Sequence, residues 1–84
     1  MKFNIYLERR ALKQISNFNK KEVLKIKSAI SDLSENPRPF GYIKLKGENA
    51  YRIRIGDFRI IYEIIDKEEK VIIITIIHRK DAYK

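Results

Sequence analysis

Arginine and lysine side chains gather in the second half of the chain, where alternating apolar and polar residues predict strands. Arg52 and Arg54 are two positions apart, so a strand would present both on one face, about 7 Å from each other. Arg59 follows the turn signal Gly56-Asp57 and would lie just across a hairpin. Guanidinium groups bind phosphate oxygens through paired hydrogen bonds, so this spacing predicts a cradle for an RNA or DNA backbone. The basic stretch also contains Lys44 and Lys46.

The end of the chain supplies a second set of reactive groups: His78, Arg79, Lys80 and Tyr83. A strongly β-forming run comes directly before His78, the chain's only histidine, and an imidazole can exchange protons near neutral pH. Arg79 could bind a phosphate, and Tyr83 could stack on a base or transfer a proton. Charge alone is explained equally well by a solvated strand face, and a lone histidine at a strand end is usually structural.

The amino-acid composition limits the classes of function that this chain can have. The 84 residues include 19 Lys+Arg and 11 Asp+Glu, which gives a formal net charge of +8. The absence of cysteine excludes thiolate catalysis and cysteine metal sites, and a single histidine excludes a multi-histidine site, so we expect no metal and no cofactor. The longest apolar run, Val71–Ile77, is far shorter than the roughly 20 residues that span a bilayer. We therefore expect a cytoplasmic protein without a membrane segment, whose partner is a polyanion.

The spacing of apolar residues predicts one strand, two helices and then four strands. Asn19 and Glu22 have the spacing of a capping box, which would open the second helix, and Asn36-Pro37 would end it. The predicted strands are residues 2–7, 42–46, 51–55, 58–65 and 71–77, and the two helices fill residues 8–19 and 19–36. This order predicts an α+β fold, with a helical hairpin packed on one face of a largely antiparallel twisted sheet, in a single domain over residues 1–84.

Two packing expectations follow from the same pattern. Leu12, Ile15, Val23, Ile26 and Ile30 recur at helical spacing and are expected to pack on the sheet. The nearly continuous apolar run over residues 71–77 is typical of a central strand that is covered on both faces.

Three stretches carry a combined signature: Leu45-Lys46-Gly47, the run YRIRIGDFRIIY over residues 51–62, and the run HRKDAY over residues 78–83. The combination resembles the RelE/ParE superfamily of toxins from bacterial and archaeal toxin–antitoxin systems, over the whole chain. The resemblance implies a RelE-like fold. For the RelE branch it also implies a ribosome-dependent endoribonuclease that cuts mRNA in the ribosomal A site, and a cognate antitoxin that wraps the toxin in a hetero-oligomer.

The resemblance also implies roles for individual residues. Arg52 and Arg54 would surround the scissile phosphate, Arg59 and Arg79 would bind it, and Tyr83 would stack on the mRNA base. Some members have lysines where this chain has Arg52 and Arg54, and arginine is a poor general base, which moves the expected proton acceptor to His78. The expected catalytic residues are therefore Arg52, Arg54, Arg59, His78, Arg79 and Tyr83, with Lys44, Lys46 and Lys80 binding RNA.

The chemistry expected of these residues needs no metal ion. The ribose 2′-OH attacks its own adjacent phosphate once a base removes its proton, which gives a 2′,3′-cyclic phosphate and a 5′-OH. Two other functions stay open on the sequence: a ParE-like toxin that binds and inhibits DNA gyrase without being an enzyme, and a generic basic RNA- or ribosome-binding module. The fold is shared between the RelE and ParE branches and cannot separate them.

Overall fold

The computed structural model describes residues 2–46 and 49–79. Its elements are β1 (Asn4–Leu7), α1 (Arg9–Ser16), α2 (Lys20–Glu35), β2 (Ile43–Lys44), β3 (Ala50–Ile55), β4 (Phe58–Ile65) and β5 (Lys70–His78), with a short 3-10 turn over Asp66–Glu68. Gly47 and Glu48 of the predicted turn, and the predicted site residues Lys80 and Tyr83, lie outside the described residues. Within those residues neither helix is long and apolar enough to cross a membrane.

The five strands form one mixed sheet in the order β1-β5-β4-β3-β2. β1 pairs with β5 in parallel, and the other three pairings are antiparallel. The parallel pair arises because the two helices connect β1 to the rest of the sheet, whereas tight turns connect β3, β4 and β5. The predicted α+β fold and its order of elements are confirmed.

The second helix begins as predicted. Asn19 Oδ1 accepts from the Glu22 backbone N–H at 2.8 Å, and Glu22 Oε1 accepts from the Asn19 N–H at 2.9 Å, which is a complete capping box. The helix ends at Glu35, where the backbone N–H of Asn36 still reaches the carbonyl of Asp32. Pro37 follows and cannot continue the helix, because it lacks an N–H.

The core lies between the two helices and one face of the sheet. α2 contributes Ile26, Ala29 and Leu33, and α1 contributes Ala11. Alternate residues of the strands complete it: Tyr51, Ile53, Phe58, Ile60, Tyr62, Ile64, Val71, Ile73 and Ile76. The predicted helical stripe is confirmed at Ile26, with Ile15, Val23 and Ile30 half-buried. The prediction for Leu12 is wrong: its side chain is 56% exposed, because Ala11 occupies the inward position of this short helix.

β5 lies inside the sheet as predicted, but helices cover only one of its faces. Val71, Ile73 and Ile76 are buried among the core residues, whereas Ile72 and Ile77 on the other side are half-buried. The register shifts between Ile73 and Thr75, which leaves one extra residue in β5 opposite β4, a β-bulge. The expectation of a strand covered on both faces is therefore wrong.

α1 is fastened to the edge of β5 just past the end of β1. Gln14 Oε1 accepts from the Ile76 backbone N–H at 2.7 Å, and Gln14 Nε2 lies 2.9 Å from the Thr75 hydroxyl. β1 pairs only as far as Ile73, so the side chain of Gln14 satisfies a strand-edge donor that no further strand reaches.

The connection from α2 to β2 is held by Arg38, a residue that the sequence analysis did not single out. Its guanidinium donates to both carboxylate oxygens of Asp66, at 3.2 and 2.9 Å, and to the Tyr51 hydroxyl at 3.2 Å. The paired hydrogen bonds raise the pKa of Arg38 and lower the pKa of the Asp66 carboxyl. Nearby, the buried Tyr62 hydroxyl donates to the Pro37 carbonyl at 2.7 Å.

Replacing Tyr62 with phenylalanine is expected to lower the free energy of unfolding by about 1–3 kcal/mol, because the buried Pro37 carbonyl loses its donor. Burial raises the pKa of Tyr62 from 10.0 to about 12, so the folded state holds this proton more tightly than the unfolded state does. The contribution of the protonated Tyr62 hydroxyl to stability is therefore complete below about pH 10 and is lost as the pH rises toward 12. Urea unfolding across this range should show a steeper loss in the wild type than in Tyr62→Phe. Equal losses in the two proteins would contradict the assignment.

Candidate phosphate-binding site

The hairpin between β3 and β4 sets the geometry of the site. Ile55 pairs with Phe58, which leaves Gly56 and Asp57 as a two-residue turn. Gly56 has a φ of +57°, and Asp57 does not share this positive φ, so the turn has the type II′ pattern that places glycine first. Lys25 of α2 approaches this turn closely: its Nζ lies 3.1 Å from where a Cβ on residue 56 would be. The tight turn fixes the register of the two strands.

This register places Arg54 directly opposite Arg59. Both side chains lie on the face of the sheet away from the helices, because Ile53 and Phe58 beside them are buried in the core. Like charges directly opposite each other on a sheet are destabilising. Folding stability therefore does not account for this pair of arginines, and a bound anion would relieve their repulsion.

Arg79 joins the pair from the end of β5. Its backbone N–H donates to the Asp57 carbonyl at 2.7 Å, which ties the start of the tail to the hairpin turn. A cavity of about 210 Å³ opens here, lined by Arg54, Gly56, Asp57, Phe58, Arg59 and Arg79. We call it the arginine pocket. Three arginines and one aspartate give it a net charge of +2, and within residues 2–46 and 49–79 none of the three arginines forms an ion pair.

Arg52 and the predicted lysines lie outside the arginine pocket. Arg52 lies with Arg54 on the face of the sheet away from the helices, here called the open face. It lies opposite Ile43 of β2 and does not line the cavity. Lys44 pairs with Tyr51 on the helix-facing side of the sheet, with its Nζ 5.9 Å from the centre of the Tyr51 ring. The register of β2 with β3 brings Ile43, not Lys44, to the face of Arg52. Lys46 is exposed beyond the end of β2.

His78 also lies on the helix-facing side. It pairs with Phe58, and the two rings meet edge to face with centroids 4.9 Å apart. Its Nε2 lies 4.0 Å from Glu22 Oε2 of α2, and the side chain is 21% exposed. Side chains alternate along a strand, so Arg79 reaches the open face only because His78 points the other way. The sequence analysis had grouped His78 with the arginines as a catalytic residue. The structure does not bring His78 together with the arginines of the pocket.

The site also contains groups that the sequence analysis did not assign to it. Asp57 was read as a turn residue and Phe58 as a strand residue, yet both line the cavity. The signal was present in the Gly56-Asp57 hairpin, since the residues that flank a two-residue turn are forced into proximity. Placing Arg79 beside that turn required the register between β4 and β5, which the sequence pattern alone does not specify.

Residues 5–83 match the family model described as the ParE toxin of a type II toxin–antitoxin system, parDE. A curated relative from Methanocaldococcus jannaschii, the candidate toxin RelE1, is 38% identical over 88 aligned positions, which cover 100% of this chain and 98% of the relative.

Solved structures agree with the fold. The archaeal RelE–RelB complex from Pyrococcus horikoshii is similar with a TM-score of 0.84 and 26% identity, over 94% of this chain and 97% of that chain. The toxin–antitoxin complex RelBE2 from Mycobacterium tuberculosis is similar with a TM-score of 0.83, over 94% of this chain and 100% of that chain. At 22% identity, this second likeness supports the fold alone.

Proposed function

The chain belongs to the RelE/ParE superfamily of type II toxin–antitoxin toxins, and from this membership we propose that it is a RelE-like mRNA interferase. In this proposal it enters the A site of the ribosome and cuts the mRNA there. All 84 residues act as one toxin domain, and the protein works in the cytoplasm, where translating ribosomes are found.

The observation that carries the proposal is the convergence of Arg54, Arg59 and Arg79 on one cavity. A phosphodiester carries one negative charge, and a second develops on its non-bridging oxygens as the 2′-oxygen attacks. The arginine pocket has a net charge of +2, and the backbone positions of its arginines are fixed by the hairpin register and by the Arg79 backbone hydrogen bond before any substrate arrives. Fixed cations where charge develops stabilise the transition state, because they do not have to reorganise during the reaction.

The proposed step balances without an added reagent. The 2′-oxygen forms a bond to phosphorus, the bond from phosphorus to the 5′-oxygen breaks, and the products are a 2′,3′-cyclic phosphate and a 5′-OH. The proton of the 2′-OH passes to a base, with Tyr83, Lys46 and a ribosomal group as the candidates, and the departing 5′-oxygen takes up one proton from that group or from water. The ribosome orients the strand for in-line attack, a contribution that so small a pocket cannot provide by itself. We retain Tyr83 as the base-stacking residue and Arg52 as a neighbouring phosphate contact in this proposal.

The partner that controls this activity is proposed to be a cognate antitoxin. The similar structure from Pyrococcus horikoshii is a complex of RelE with RelB, and the family model describes toxins of two-component systems. An antitoxin segment that occupies the arginine pocket would need acidic groups, because the pocket residues that it meets carry a net charge of +2. We expect such a segment to fold as it binds.

The proposal is tested by the chemistry of the products. The protein is added to ribosomes stalled on a defined mRNA, and the RNA fragments are analysed for their end groups. A 2′,3′-cyclic phosphate on the upstream fragment and a 5′-OH on the downstream fragment would support the proposal. A 5′-phosphate, or intact mRNA at stoichiometric protein, would contradict it.

A second function has one observation in its favour, namely that the matched family model is that of the ParE toxin. In that case the protein would bind and inhibit DNA gyrase, and the arginines would contact a protein or DNA surface. Gyrase supercoiling and cleavage-complex assays on the same preparation separate the two. Intact mRNA together with trapped gyrase–DNA breaks would transfer the assignment to gyrase.

The position of His78 leads to a prediction that reverses the expectation from sequence. His78→Phe keeps the ring against Phe58 and removes the titratable group, and we expect the single-turnover cleavage rate to stay within about tenfold of the wild type. The acidic limb of the pH–rate profile should also be retained. A loss of roughly 10²-fold or more, with disappearance of that limb, would show that His78 transfers the proton after all.

A further inference from the structure

α1 carries three exposed cations, and the electrostatics of the helix does not favour two of them, Arg9 and Arg10. Arg9 and Arg10 lie in the first turn of the helix, and Lys13 lies in its last turn. The N-terminus of a helix has a partial positive charge, so cations in the first turn are unfavourable there. The first turn contains no acidic residue, and Glu8 at the N-cap makes no capping hydrogen bond. In the described part of the chain none of the three forms an ion pair.

These cations border the same sheet face as the arginine pocket. A shallow cavity of about 440 Å³ is lined by Arg9, Arg10, Lys13, Gln14 and Asn17. Gln14 belongs to this cavity and also contacts the hydroxyl of Thr75. Thr75 lies opposite Ile61, two positions from Arg59, so it shares the face of Arg59. Arg79 follows Thr75 by four residues, about 13 Å along an extended strand.

We propose that Arg9, Arg10 and Lys13, here called the α1 cations, bind the phosphate backbone of the mRNA strand whose scissile phosphate lies in the arginine pocket. This inference rests on the proposed function and extends its substrate site along the edge of β5. Arg9 and Arg10 share one property with the arginine pocket: they place positive charges where the folded chain alone would be more stable without them. A polyanion that runs from one to the other accounts for both.

The test measures RNA binding as a function of salt. The probe is a short single-stranded RNA with a 2′-deoxy nucleotide at the cleavage position, so that it binds without being cut. Each phosphate contact on a single strand contributes about 0.7 to the slope of log affinity against log salt. Removing three contacts in Arg9→Gln/Arg10→Gln/Lys13→Gln should therefore reduce the slope by about 2. The single variant Arg10→Gln should reduce it by about 0.7.

A matched control removes the same charge elsewhere. Lys2, Lys27 and Lys67 are all exposed, and none of them lines either cavity. Lys2→Gln/Lys27→Gln/Lys67→Gln lowers the net charge by the same amount and should leave the slope close to that of the wild type. The α1 variant should also melt at a temperature equal to or higher than the wild type, because two cations leave a helix N-terminus.

The outcomes separate this inference from the proposed function. If wild-type protein cuts ribosome-bound mRNA but the α1 variants and the control show the same salt slope as wild type, the inference is overturned and the proposed function stands. If the slope is unchanged with the RNA probe but an acidic antitoxin segment binds the α1 variant more weakly, the surface belongs to the antitoxin, and the inference is again overturned. Failure of the wild type to cut any mRNA would instead remove the proposed function.

Discussion

Replacing either Arg79 or Arg59 with alanine is expected to lower the single-turnover rate of mRNA cleavage on the ribosome by about 10²–10³. That is the scale of losing one fixed donor to a developing negative charge. Both side chains line the arginine pocket, and within the described residues neither forms an ion pair that would hold it elsewhere. Ribosome binding should change much less, because many other cations of this +8 chain share that task.

The comparison needs a variant that changes charge without touching the pocket. Lys27→Ala removes one exposed cation from α2 and should leave the cleavage rate unchanged within about twofold, as expected for a surface site without specific contacts. If Arg79→Ala and Arg59→Ala weaken ribosome binding as much as they slow cleavage, they serve in docking. In that case the pocket would not be the place where the phosphate reacts.

The largest expected effect on stability comes from α2. Leu33→Ala should lower the free energy of unfolding by about 2–5 kcal/mol, because this side chain is fully buried between the helix and the sheet. Leu24→Ala makes the same chemical change in the same helix at a residue that is 60% exposed, and should cost about 0.5 kcal/mol or less. The difference between the two variants isolates burial, since helix propensity changes equally in both.

Urea unfolding followed by circular dichroism measures both variants under identical conditions. The slope of the free energy against urea should be similar for the two proteins, since the surface exposed on unfolding hardly differs. Equal destabilisation by Leu33→Ala and Leu24→Ala would show that the face of α2 assigned to the core is not the buried one.

The local elements could be predicted because their signals are local. The capping box of Asn19 and Glu22, the stop at Asn36-Pro37 and the turn at Gly56-Asp57 each depend on a few neighbouring residues, and each is present in the structure. Leu12 was misassigned because a helix of only 8 residues offers little periodicity to locate its buried face. The expectation that β5 is covered on both faces was wrong, because the composition of a strand shows how apolar it is but not which elements cover it.

The part of the site that depends on local signals could also be predicted from the sequence. Arg54 and Arg59 are joined by one hairpin, and their proximity follows from a turn of two residues. The side on which His78 and Arg79 lie depends on the pairing of β5 with β4, and a bulge near Thr75 resets that alternation. The face on which Lys44 lies is likewise set by the register of β2 with β3. Long-range register is decided by packing of the whole sheet, which no short sequence pattern contains.

Mapping the 5′ ends of mRNA on translating ribosomes decides whether the arginine pocket cuts mRNA inside the ribosomal A site. Purified protein is added to ribosomes that are paused at a known codon, and primer extension locates each new 5′ end. We expect cuts within the A-site codon for the wild type, and a fall of the cleavage rate to about one per cent or less of the wild-type rate in Arg59→Ala/Arg79→Ala. Cuts of equal strength in the double variant, or cuts scattered over ribosome-free mRNA, would contradict this expectation.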